Sequence, residues 1–138
     1  MDDAVARYCA ASSAGAIDAL LETLAPDPEL VSPISGRMVF RGRDDLRVLL
    51  TAVYGTLTGL HWTHTVGSGQ HRVALGTARI LGVRLTDAMV FELAPDGRIR
   101  RISPHLRPWL ALTLFAVVLG PQVGRHPGVV RRALAAGA

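Results

Sequence analysis

Asp87 is the residue of this chain whose type and setting say most about chemistry. It sits in the run 83–93, VRLTDAMVFEL. Read as a strand, this run puts Val83, Leu85, Asp87, Met89, Phe91 and Leu93 on one face, and Arg84, Thr86, Ala88, Val90 and Glu92 on the other. Asp87 is the one acid on the more apolar face. Burial disfavours a charged carboxyl and raises its pKa. A neutral acid can then donate a hydrogen bond to a carbonyl oxygen that is gathering charge as an enolate. The competing reading is a buried acid neutralised by Arg72 or Arg79.

Two further residues are candidates for the same chemistry. Tyr8 lies among apolar residues of a helical pattern, where a buried phenol seeks a partner. If Asp87 is that partner, the two form a donor pair; if backbone is, Tyr8 is an ordinary core tyrosine. His105 follows Pro104 near the end of the last strand. Histidine titrates near neutrality and is the commonest general acid or base, so His105 is the candidate proton shuttle. Its direction depends on strand phase. Ile99 and Ile102 are out of phase, which implies a bulge, and inward-facing Ile102, Pro104 and Leu106 would turn His105 outward.

The expected substrate-binding set is Ser32, Phe40, Trp62, His64, Met89, Phe91 and Leu106. Within it, Trp62 and His64 share a face of the first long strand; the two readings are an aromatic wall with a polar handle and a histidine on the surface. The five histidines have no HxxxH or HxH spacing and no acid at ligand distance, so no metal is expected. No phosphate loop, GxSxG elbow or dinucleotide glycine pattern is present, and no cofactor is expected.

The elements that must hold these residues follow from periodicity. Residues 4–13 and 16–24 read as helices divided by Gly15 and ended by Pro26 and Pro28. Two short strands follow, 29–34 and 38–40. Then comes a helix over 44–57, with Asp44 as its cap and Leu46, Leu49, Leu50 and Val53 as its buried stripe. From Leu60 the texture turns to strands, 60–66, 72–81, 83–93 and 98–106, with turns at Gly67-Ser68-Gly69, Gly82 and Pro95-Asp96-Gly97. Helices followed by a long antiparallel meander make an α+β fold. We divide the chain into a domain over 1–108 and a C-terminal extension over 109–138, which holds the apolar helix 109–119 and a short basic helix 128–136.

Composition sets the outer bounds. The chain has 138 residues, enough for one domain, and 49% of them are apolar while only 5% are aromatic. A core of Ala, Leu and Val with few rings leaves room for a cavity. The net charge is +4 and every basic residue is arginine, a composition suggesting a GC-rich bacterial genome. The arginines are scattered from Arg7 to Arg132 without a basic run or interleaved aromatics, so no nucleic-acid partner is expected. The single Cys9 excludes an internal disulfide and reads as a small core residue. Asp2 and Asp3 stand where a signal peptide would be positive, so a cytoplasmic location is expected. The run 109–119, WLALTLFAVVL, is shorter than the ~20 residues of a spanning helix, so no integral membrane segment is expected. It reads as a buried helix, a lid or an oligomer contact, and a homodimer is expected.

Four local patterns, in order, resemble the SnoaL-like and ketosteroid-isomerase-like domains of the nuclear transport factor 2-like superfamily. They are ARY…AGAIDALLETLAPD at 6–27, SPISG…FRGRDDL at 32–46, TDAMVFELAPDGRI at 86–99, and the last strand running into His105-Leu106-Arg107-Pro108. The resemblance implies a cone: a curved antiparallel sheet and N-terminal helices around an apolar pocket. It implies that Tyr8 and Asp87 take the positions of the isomerases' two oxyanion-hole donors. Ser32 stands where those enzymes keep their general-base aspartate, and Leu50 where they keep a supporting tyrosine. Limonene-type epoxide hydrolases of the same fold use an Arg two residues from this Asp and an Asp on the last strand. Here Leu85 stands two before Asp87 and the last strand has no Asp, which disfavours that chemistry. The expected function is a cofactor-independent cyclase, isomerase or dehydratase acting on a hydrophobic carbonyl compound, polyketide- or terpenoid-like. The alternative is a non-catalytic binding or dimerisation module of the same fold.

Overall fold

In a computed structural model, residues 3–137 are described; Asp2, read above against a leader sequence, lies outside them. The elements run α1 (Ala4–Ala14), α2 (Ile17–Glu22), β1 (Leu24–Val31), β2 (Val39–Arg41), α3 (Arg43–Thr56), β3 (Thr58–Val66), β4 (His71–Ile80), β5 (Val83–Leu93), β6 (Ile99–Arg107), α4 (Trp109–Gly124) and α5 (Pro127–Ala136). The strands form one curved, unclosed sheet in the order β2-β1-β6-β5-β4-β3. The meander β3 to β6 is antiparallel throughout, as its turn residues require. β1 enters parallel to β6 and makes the whole sheet mixed. This is the α+β cone that the sequence predicts.

Local chemistry explains the element ends. Asp3 accepts from Ala6 N at 2.9 Å and caps α1, and Gly15 ends the helix at φ 68, where a side chain would be strained. Asp3 also pairs with Arg72 of β4 at 2.5 Å, tying α1 to the sheet. Pro26 and Pro28 do not end the helix, which stops at Glu22 with Thr23 as its cap. They fall inside β1, and the pairing of β1 with β6 is interrupted between Leu24 and Glu29, where two residues have no N–H to give. Asp44 is not a cap. Gly42 holds that position with no side-chain bond, while Asp44 and Asp45 occupy the first turn of α3, where the helix dipole favours acids.

The inner face of the sheet carries the core. Tyr8, Leu20, Leu46, Leu85, Phe91 and Ile102 are all buried between helices and sheet. Gly76 of β4 shows how tightly the layers meet. A Cβ there would lie 2.6 Å from the Trp62 ring, so only glycine admits the indole. The C-terminal helix is longer than expected and runs through Gly120 and Pro121 to Gly124. It packs Ala111, Phe115, Leu119 and Val123 inward and leaves Trp109, Leu110 and Val117 exposed. α5 is tied to α3 by Arg132, whose Nε and Nη2 donate to the two Asp45 oxygens at 2.9 and 2.8 Å.

Candidate functional site

The sheet, α3 and α4 enclose a cavity of about 350 Å³. Its walls are almost wholly apolar: Leu30 and Phe40 from β1 and β2, Leu50 from α3, Met89 from β5, and Phe115 and Leu119 from α4. Against this background stand Asp87, the Tyr54 ring, and Ser32 and Thr77.

β-alternation aims Asp87 inward. It pairs in register with Gly76 on one side and Leu106 on the other, within the buried row Leu85, Asp87, Met89, Phe91. The residue is 8% exposed, and its Oδ1 is buried without a hydrogen-bond partner. The arginines that might have neutralised it are used elsewhere: Arg72 binds Asp3, and Arg79 donates to Gly82 O at 3.2 Å. Loss of hydration pushes the Asp87 carboxyl up from 3.8 to about 7, with the backbone N–H of His105 offsetting part of the rise.

Tyr8 stands one layer behind the cavity. It is fully buried, with its ring edge-on to Phe91 at 5.2 Å between centroids, and it does not line the cavity. Its hydroxyl lies 2.7 Å from that of Tyr54, which does. Tyr54 is not among the candidates read from the sequence; it lies one turn beyond Leu50 on the same face of α3. A tyrosine four residues beyond an apolar stripe position was the available signal. Burial raises the pKa of both phenols, and the Asp87 charge adds to the rise, so both keep their protons at neutral pH.

The remaining candidates divide. Ser32, Phe40, Met89 and Leu106 line the same cavity as Asp87. Phe91 is fully buried in the core beneath Tyr8 and does not reach it. Trp62 is on the inner face but packs against α1, donating to Ser12 Oγ at 2.9 Å. His64 departs from Trp62's face, because the β3–β4 register shifts between Trp62 and His64; it is exposed beside Thr63. His105 also faces out. The predicted bulge is present, since Glu92 pairs with Arg101 and Leu93 with Ile99, and Pro104 and Leu106 then line the cavity. The His105 ring is on the opposite side, exposed, with Nδ1 3.2 Å from Ala88 O. A proton shuttle into the cavity is therefore not available from His105. Cys9 is buried and its thiol is pushed up to about 11, an inert core residue.

Among the described residues no cluster of His, Cys, Asp or Glu is placed to hold a metal ion, and no helix is long and apolar enough to cross a membrane.

The chain thus carries a buried, unpaired acid on the inner wall of an α+β cone. The pattern of the SnoaL-like domain family matches residues 5–102. The chain belongs to the SnoaL-like domain family. No curated protein matches it. Among solved structures, an uncharacterised bacterial protein with a cystatin-like fold from Silicibacter pomeroyi is similar over 96% of this chain and 95% of its own. Its TM-score is 0.88 and its identity 17%. A steroid delta-isomerase from Pseudomonas aeruginosa is 20% identical, with TM-score 0.76, over 91% and 89% of the two chains. The epoxide hydrolase/cyclase-like enzyme SalBIII, of pyran ring formation in the polyether salinomycin, is 22% identical, with TM-score 0.64, over 75% and 88%. At these identities the shared property is the fold. The first likeness spans 96% of this chain, so the shared fold takes in part of the segment after β6.

Proposed function

We propose that this SnoaL-like domain binds an apolar carbonyl compound and promotes its ring closure or dehydration by holding the carbonyl oxygen at Asp87. The observation that carries the reading is the orphaned Asp87 Oδ1, buried in an otherwise apolar wall with no cation against it. A neutral carboxyl there lacks an acceptor, and a ligand carbonyl oxygen supplies one. Tyr8 has no partner besides Tyr54 among the side-chain bonds; donating to the Tyr54 oxygen frees the Tyr54 proton for the cavity. Asp87 and Tyr54, supported by Tyr8, then make two donors to one oxygen.

Among the described residues, Asp87 is the one acid or histidine lining the cavity, so any proton taken from the substrate goes to it. Ring closure needs one such proton transfer, because the carbon that attacks must first lose its proton, and the same proton can then be returned to the second carbonyl oxygen. With its pKa near 7, Asp87 populates both forms at neutral pH. As carboxylate it takes a proton from the carbon beside one carbonyl. The new carbon–carbon bond forms at the second carbonyl, whose oxygen receives that proton; loss of water then leaves an enone.

The probe is an acyclic 1,5-diketone with an apolar tail, 2,6-dodecanedione, which closes to 3-hexylcyclohex-2-enone and water. The wild-type protein is expected to accelerate closure over buffer. Asp87→Asn and Asp87→Leu both lose most of the acceleration, because neither side chain can take the proton, while Asp87→Asn keeps diketone binding, because the amide still donates. Equal rates for wild type and Asp87→Leu would refute the catalytic reading. Asp87-dependent binding of the diketone without closure would leave the binding module in its place.

A further inference from the structure

We infer that the cavity opens between the β1–β2 connection and the C-terminal half of α4, and that Gly120 and Gly124 hold this mouth wide for a substrate whose apolar tail projects through it. The inference rests on the reading above that the carbonyl sits at Asp87, and it adds the shape of the substrate.

Most of the cavity wall is buried or half-buried. Three lining residues are exposed: Ile34, Gly120 and Gly124. A residue that lines a cavity and also meets solvent marks where the cavity opens. Ile34 is 53% exposed, an apolar side chain at the rim with no core to enter.

Neither glycine has the positive φ that would exclude a side chain, and a Cβ added at either meets nothing within 4 Å beyond its chain neighbours. Gly120 precedes Pro121 inside α4, where the proline ring also crowds a side chain, and Gly124 is the last residue of the helix. What their missing side chains leave is width. Ala116, four residues earlier, also lines the cavity, so a strip of small residues runs along one edge of α4 for roughly 12 Å at 1.5 Å per residue.

The second, independent observation is at the inner end: Asp87, 8% exposed, presents its unpartnered oxygen to the same cavity. A chamber of about 350 Å³ is at the small end of the roughly 300–1,000 Å³ typical of ligand sites, so a long ligand must leave it. The surface outside is suited to that. Val130 of α5 lines the cavity, and Leu134, one turn further on the same face, is 50% exposed. The Arg132–Asp45 pair fixes α5 in this position. The substrate class is an elongated molecule with a carbonyl head and an alkyl or polyene tail.

Acetophenone and 4-octylacetophenone share a head and differ in the tail, and isothermal titration calorimetry reads their affinities. Wild type is expected to bind the octyl ketone at least tenfold more tightly. Gly120→Leu is expected to weaken the octyl ketone at least tenfold while leaving acetophenone within twofold. Gly120 precedes Pro121, so the folded fraction of Gly120→Leu is matched to wild type by circular dichroism before affinities are compared. Ile34→Asp, at an exposed position outside the helices, is expected to act in the same direction. Asp87→Leu weakens both ketones. If both ketones bind through Asp87 but Gly120→Leu and Ile34→Asp leave the octyl ketone unchanged, or weaken both ketones equally, the mouth is wrong and the carbonyl site stands. If wild type binds neither ketone, the carbonyl site fails and the mouth with it.

Discussion

Asp45 and Asp87 are 7% and 8% exposed, and the resemblance ends there. Asp45 sits in the first turn of α3 and meets the Arg132 guanidinium with both oxygens. Asp87 sits mid-strand among leucine, methionine and phenylalanine, and no cation reaches it. Burial alone therefore does not say what an acid is for. A carboxylate with a bidentate arginine has its charge answered and acts as a tie between elements. A carboxyl with no such partner keeps its proton and an unused hydrogen-bonding atom, which is a disposition toward a ligand.

The sharpest way to break this contrast is to remove each acid in turn. Asp87→Leu is expected to lower the rate of diketone closure by about 100–1,000-fold, the range for loss of one oxyanion donor. Asp45→Leu is expected to change that rate less than threefold, read under the same assay after matching for folded fraction. Equal losses would mean that the two acids do not differ in kind.

The pH dependence separates them next. The folded pKa of Asp87, about 7, lies above its ordinary value of 3.8, so the folded state binds the proton more tightly than the unfolded one. The stability it confers is complete below pH ~4, declines as pH rises toward 7 and is gone above that. Thermal melts are therefore expected to show Asp87→Leu gaining on wild type by several kcal/mol between pH 4 and pH 8. Ketone affinity should fall about tenfold per unit above pH ~7, as the donor proton is lost. A flat profile across this range would remove the neutral-acid role.

The tyrosine pair tests the support. Tyr54→Phe leaves the buried Tyr8 hydroxyl without a partner, an expected loss of about 1–3 kcal/mol in chemical denaturation, together with weaker ketone binding. Loss of stability with unchanged ketone affinity would make the pair purely structural. Asp45→Ala is expected to cost about 1–2 kcal/mol, because Arg132 is mostly exposed and regains water once released. The smallest effect belongs to His105→Ala: under about 0.5 kcal/mol of stability and no measurable change in rate, since its ring is on the outer face. A clear rate loss there would reopen the proton-shuttle reading.

Local patterns are enough to locate most of the elements and the inward aim of Asp87, though not the ends of α2, β1 and α4. Period-2 alternation over Val83–Leu93, the glycine and Asp-Gly turns, and the helical stripes are local signals, and local signals survive without knowledge of the partner. The bulge before Ile102 was legible in the same way, and with it the condition that turned His105 outward. What only the tertiary structure decided was who faces whom. That Arg72 and Arg79 are occupied elsewhere, leaving Asp87 unpaired, depends on groups from α1 and a turn that no spacing brings together. The hydrogen bond between Tyr54 and Tyr8 joins residues 46 positions apart, which no local pattern relates. The inward side of α4 was hidden by its composition: WLALTLFAVVL is apolar all round, so periodicity could not separate Phe115 and Leu119, which wall the cavity, from Val117, which meets solvent.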